Sequence, residues 1–184
     1  MQVTIVLDGY SAPLSAGNFA ALVVAGRLDG VSLRQTNDSV LVSAAPGGTP
    51  PLPLEILARG EFEPRYRAPL ELTSGELPVL PLSIYGSVAL AHGPGGPGTS
   101  APNDFFIYEF DRQQGGGLGG LSFEEGEYAV VGYVTGGREL LPQVATGDVI
   151  ARARLVSGQD RLVVPIAAAA ATFIQPDSLF LGDR

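Results

Sequence analysis

Glycine and proline, 25 and 15 of the 184 residues, interrupt this chain so often that turns and loops are expected to be plentiful and long helices few. The opening "MQVTIVLDGY" alternates apolar and polar residues and places Val3, Ile5 and Leu7 on one face of a first strand. The segment "APLSAGNFAALVVAGR" reads as a helix, with Ser15 as its N-cap, an apolar stripe of Phe19, Leu22 and Val23, and Gly26 as its terminator. Two short strands follow in residues 29–48, joined by the turn chemistry of Thr36, Asn37, Asp38 and Ser39. "LPLEILAR" restarts a strand before an irregular, Pro-punctuated connection. "SIYGSVALAH" and "NDFFIYEF" are strongly strand-like, and the "GPGGPGTSAP" between them reads as a flexible loop. "QQGGGLGGLSF" reads as a second Gly-rich loop, "YAVVGYV" as a buried strand, "GRELLPQVATG" as a short helix and "DVIARARLVSG" as a closing strand. Many short strands with only two short helices predict a mainly β chain that closes into a capped barrel.

Composition narrows the function. The formal charge is −8 and every basic residue is Arg, without a basic cluster, which argues against nucleic acid or an anionic membrane surface as partner. The absence of Cys excludes disulfides and thiol chemistry, and the lone histidine, His92, excludes a multi-His metal site. No cofactor is implied. The N-terminal residues lack the basic start and long apolar stretch of a signal peptide, and "VVPIAAAAATFI", broken by Pro165, is too short to span a membrane. If residue 1 is the unprocessed N-terminus, this predicts a cytoplasmic protein.

Several motifs have a plain structural reading beside a chemical one. The Gly-rich stretches 93–98 and 115–120 lack the Lys and the following helix that a phosphate cradle requires, so they read as loops. Without a G-x-S-x-G elbow, Ser87 and Ser100 have no distinctive setting and His92 reads as a loop residue rather than a triad member. Glu124, Glu125 and Glu127 read as a solvated charge run on a turn. Phe105 and Phe106, adjacent on one strand, must point to opposite faces of the sheet.

The segments "VTIVLDGYSAPLSAGNFAALVVAGRLDGVSL", "GSVALAH", "NDFFI" and "FEEGEYAVVGYVTGG" give the chain, from residue 3 to about 160, a resemblance to the cyclophilins. "VTIVLDGYSAPLSAGNFAALVVAGRLDGVSL" is similar to their opening strand, "A-P-x-T/S-x-x-N-F" helix entry and "Y-D-G-x-x-F". "GSVALAH" is similar to their "GSLAMA", "NDFFI" to "SQFFI", and "FEEGEYAVVGYVTGG" to "LDGKHVVFGKVVEG". "LPLEILARGEFEPRY", "YAVVGYVT" and "TGDVIARARLVSG" resemble segments of the large, divergent cyclophilins of the thylakoid lumen and cyanobacteria, whose N-terminal helical domain has no counterpart here. The resemblance implies an eight-stranded antiparallel closed barrel capped by two short α-helices. It places this domain at residues 1–164 and leaves a C-terminal extension at 165–184. Residence in the thylakoid lumen, or on the periplasmic side of a photosynthetic membrane, is the implied setting.

It also implies peptidyl-prolyl cis–trans isomerase chemistry. In that reaction an Arg donates toward the prolyl nitrogen, neutral amides hold the peptide carbonyls, and an apolar pocket takes the proline ring. Carried over position by position, the family's arginine falls on Gln35, with Arg34 one step early. The pocket phenylalanine and the large residue after it fall on Val40 and Leu41, and a glutamine falls on Ser43. The "GSLAMA" match brings Ala91 and His92 to the groove. Asp104 replaces a second glutamine, and Phe106 keeps the pocket aromatic. The tryptophan falls on Phe123 and a histidine on Tyr128. Neighbouring strand residues face opposite ways, so Arg34 is expected to point out of the groove unless a bulge in the 36–39 turn re-aims it. The expectation is therefore a degenerate cyclophilin-like domain that binds or scaffolds protein partners, possible photosystem subunits among them, during assembly of a photosynthetic membrane complex. The alternative is a weakly active isomerase and folding helper using Phe106 and Arg34. Phe173, Ile174, Leu179 and Phe180 make the C-terminal extension a candidate docking tail.

Overall fold

A computed structural model describes residues 1–111, 113 and 120–163. The proposed docking tail, and most of the second Gly-rich loop, lie outside them. Among the described residues, nine strands and one α-helix are complete, in this order. They are β1 (Thr4–Leu7), α1 (Pro13–Val24), β2 (Leu33–Gln35), β3 (Ser39–Ser43), β4 (Leu52–Pro53), β5 (Glu55–Ile56), β6 (Arg65–Tyr66), β7 (Ser87–Gly93), β8 (Gly96–Tyr108) and β9 (Val130–Gly136). The antiparallel sheet runs β1-β9-β7-β8-β3-β2, with β4 paired to the early part of β8, and β5 and β6 form a separate pair. Past β2, residues 147–150 run antiparallel to residues 30–33 through four backbone hydrogen bonds of 2.7–3.0 Å. The segment expected as a closing strand is therefore anchored against the start of β2.

Two apolar layers follow from strand alternation. Val40 and Val42 of β3, Val88 and Leu90 of β7, and Phe105 and Ile107 of β8 turn toward α1, where Phe19 and Leu22 meet them. The rings of Phe19 and Phe105 touch edge to face, with centroids 4.7 Å apart. Burying such a side chain contributes about 1.5–3 kcal/mol. The intervening residues Ala89, Phe106, Tyr108 and Val130 face the other way and gather Leu82 and Phe110 into a second cluster. Phe105 and Phe106 thus divide between the two faces, as adjacent strand residues must.

Three local expectations change. Ser15 does not cap α1: Pro13 occupies the first turn and Ser15 is fully buried within the helix. The cap comes from Glu55, forty residues later, whose carboxylate accepts from the backbone N–H of Leu14 (3.1 Å) and Ser15 (2.7 Å). Gly26 does end the helix in the left-handed conformation, at φ +66. "GPGGPGTSAP" is not a flexible loop but the turn and first half of a hairpin between β7 and β8. A Cβ at Gly93 would lie 2.8 Å from the Thr99 hydroxyl, so glycine there permits close packing. The second helix is a 3-10 helix over Arg138–Gln143, containing Pro142.

Candidate functional site

The groove face is fixed by strand register. Residues directly opposite one another in a ladder share a face of the sheet. Arg34 pairs with Leu41, Leu41 with Phe106, and Phe106 with Ala89, so these four form one row across β2, β3, β8 and β7. Two residues along, Ser43 pairs with Asp104 on the same face. A hollow of about 520 Å³ opens here, lined by Ser32, Arg34, Leu41, Ser43, Ala91, Asp104 and Phe106 among others. Phe106 is only 7% exposed, which makes it an apolar floor, while Arg34 is solvent-exposed at the rim.

This register corrects the expected orientation of Arg34. The turn from β2 to β3 is closed by a bond from Thr36 N–H to the Ser39 carbonyl (2.9 Å), and it sets Arg34, not Gln35, opposite Leu41. Gln35 pairs with Val40, and Val40 with Ile107, so both belong to the opposite, core-facing row and not to the groove. Val40 is 1% exposed within the main core. The Gln35 side-chain amide donates to Glu109, whose other oxygen accepts from the Tyr85 hydroxyl. Gln35 therefore braces the edge of the barrel wall rather than facing a ligand.

The remaining expected groove residues separate into two groups. His92 and Tyr128 stand beside the floor: their rings stack at 4.2 Å, and Tyr128 meets Phe106 edge-on at 5.1 Å. Burial, reinforced by Glu124 and Glu127, holds the Tyr128 phenol above its ordinary range, so it remains a neutral hydroxyl near pH 7. Phe123 is 80% exposed and does not line the hollow. Ser32, two residues before Arg34 on the same face, lines the hollow although no motif marks it. Alternation from Arg34 is the signal that would have found it.

The acidic turn also differs from expectation. Glu125 is 1% exposed, and its carboxylate accepts from Leu82 N–H (2.7 Å), Ser83 N–H (2.8 Å) and the Ser83 hydroxyl. It fastens the 82–83 turn behind the Phe106 cluster, while Glu124 and Glu127 remain exposed. Among the described residues no group of three or more His, Asp or Glu is arranged to hold a metal ion. None of their helices is long and apolar enough to cross a membrane.

The hollow thus combines an apolar floor, a cationic side chain on one rim, and a carboxylate and hydroxyl farther along. The model of the cyclophilin type peptidyl-prolyl cis-trans isomerase family matches residues 1–164, and the chain belongs to that family. It is 50% identical over 166 residues to the chloroplastic peptidyl-prolyl cis-trans isomerase CYP37 of Arabidopsis thaliana, covering 89% of this chain and 35% of that one. It is 37% identical over 179 residues to a Synechocystis protein whose name describes a thylakoid lumen peptidyl-prolyl cis-trans isomerase, covering 88% of this chain and 46% of that one. The chain thus spans about a third to a half of the length of these relatives. Cyclophilin AquaCyp293 of Hirschia baltica shares the fold, with a TM-score of 0.51 at 14% identity over 82% of this chain and 66% of that structure. The fold is the mainly β, antiparallel cyclophilin fold.

Proposed function

We propose that the domain binds Pro-containing segments of proteins in the Phe106 hollow and isomerises their prolyl bonds slowly, with Arg34 as the donor to the twisted amide. The observation that carries this reading is the Arg34–Leu41–Phe106 register, which puts a guanidinium-bearing residue on the face of the apolar floor. The rotation barrier of about 18–20 kcal/mol comes from amide resonance. A donor aimed at the prolyl nitrogen favours its pyramidal form and weakens that resonance, so only the twisted state gains. Leu41 and Phe106 would hold the proline ring, and neutral Tyr128 would support the ring of Phe106. The amides that the family uses for the peptide carbonyls are replaced by Ser43 and Asp104, which accounts for a slow rate. By analogy with the relatives' names, the setting is a photosynthetic membrane compartment such as the thylakoid lumen.

Those two replacements also favour a second reading, a groove that binds and scaffolds without turnover during assembly of a membrane complex. Exchange NMR on an Ala-Pro peptide separates the two. Accelerated cis–trans exchange that falls about a hundredfold in Arg34→Ala, the typical effect of losing one transition-state donor, supports isomerisation. Shifted resonances of the groove without accelerated exchange support the scaffold. A peptide that neither shifts the groove nor exchanges faster overturns both.

A further inference from the structure

We propose that Asp104 makes the groove selective for proline segments carrying a Lys or Arg side chain close to the proline. The inference rests on the peptide-groove reading above and names the class of segment that the groove takes.

Asp104 lines the hollow together with Ser43, its ladder partner. Among the described residues its carboxylate accepts no hydrogen bond, and the ion pairs present, Arg65 with Glu61 and Glu76, do not include it. Arg34, which lines the same hollow, is not within the 4.0 Å that an ion pair requires. The two charges stand in separate rows of the sheet, two residues apart along β8. At about 3.3 Å per residue, the Asp104 row lies about 7 Å from the Phe106 row.

These positions define a polarity. A proline ring seated on Phe106 has Arg34 at its own level, where a second cation would be repelled. One row along, the carboxylate has no partner, and covering it with a neutral peptide would strip its water without replacement. A Lys or Arg side chain within about two residues of the proline, the span of 7 Å in an extended peptide, restores a charge-assisted bond there. A glutamate at that place meets repulsion and desolvation together. The net charge of −8 draws cationic segments toward the molecule as a whole, so the local effect must be separated from this general field.

Titration of three otherwise identical Pro peptides, with Lys, Gln or Glu two residues from the proline, tests the proposal by chemical-shift mapping on the whole chain. The expected order is Lys tightest, about tenfold over Gln at low salt, with Glu weakest, and the gap narrows as salt is added. In Asp104→Asn, shown to be folded by its amide spectrum, the Lys preference shrinks to within about twofold. Asp160→Asn, an equal change of net charge at an exposed residue that does not line the hollow, keeps it. Equal affinity for the three peptides in the wild-type protein overturns the proposal, as does an equal loss of preference in Asp160→Asn. Absence of binding by all three peptides instead overturns the peptide-groove reading, so the two failures are distinguishable.

Discussion

Arg34 and Gln35 show how much a single position decides. They are adjacent, both polar and both long, yet one stands in the row of Leu41 and Phe106 while the other stands in the row of Val40 and Ile107. A one-residue change in pairing would exchange their roles, because side chains on a strand alternate with a period of two. Arg67 is special for a different reason. It holds φ +67, the one positive value at a non-glycine among the described residues, while its N–H donates to the Leu54 carbonyl at 2.8 Å. The left-handed conformation costs an ordinary residue about 1–2 kcal/mol, and a β-branched one suffers more. Arg67→Gly is therefore expected to leave stability within about 0.5 kcal/mol or raise it slightly, because strain relief offsets the added freedom of the unfolded chain. Arg67→Val is expected to lose more than about 1 kcal/mol. Urea unfolding of the two variants side by side checks the contrast, and equal losses would contradict it.

At the scale of elements, the molecule relies on two buried carboxylates that tie distant segments together. Glu55 joins the β5–β6 pair to the start of α1 and also accepts from the Tyr66 hydroxyl at 3.1 Å. Glu55→Ala leaves the first-turn N–H groups of α1 without an acceptor and should cost about 1–3 kcal/mol in urea unfolding. A loss below about 0.3 kcal/mol would mean that water replaces the carboxylate without penalty. Neither tie was legible in the sequence, since Glu55 acts forty residues from its partners and Glu125 acts across the chain on Leu82 and Ser83. What was legible is what local pattern controls. The strands around Val40, Val88 and Phe106 and the helix around Phe19 follow from periodicity, and the left-handed stop at Gly26 follows from turn chemistry. The orientation of Arg34 was not legible, because it depends on how the Thr36–Ser39 turn closes and hence on which residue of β2 meets Leu41. The hairpin after Gly93 reads as flexible from its sequence because glycine signals both freedom and close approach, and only the nearby Thr99 side chain distinguishes them.

On the scale of the whole molecule, one sheet serves two purposes. Its inner face packs Val88, Leu90, Phe105 and Ile107 against α1. Its outer face presents Phe106, Arg34 and Asp104 in rows set by strand pairing, the preorganisation that the proposed twisted-amide site needs. The aromatic support from His92 and Tyr128 closes one side of the floor and leaves the Arg34 side open to solvent. In the proposed function, Arg34 and the Phe106 ring address the same bound proline. Intermolecular NOE measurement on a complex with a Pro peptide tests this most directly. Contacts from the proline ring protons to both the Phe106 ring and the Arg34 side chain are expected. A proline that contacts Phe106 while Arg34 makes no contact with the peptide, or a peptide bound away from this face, would contradict it.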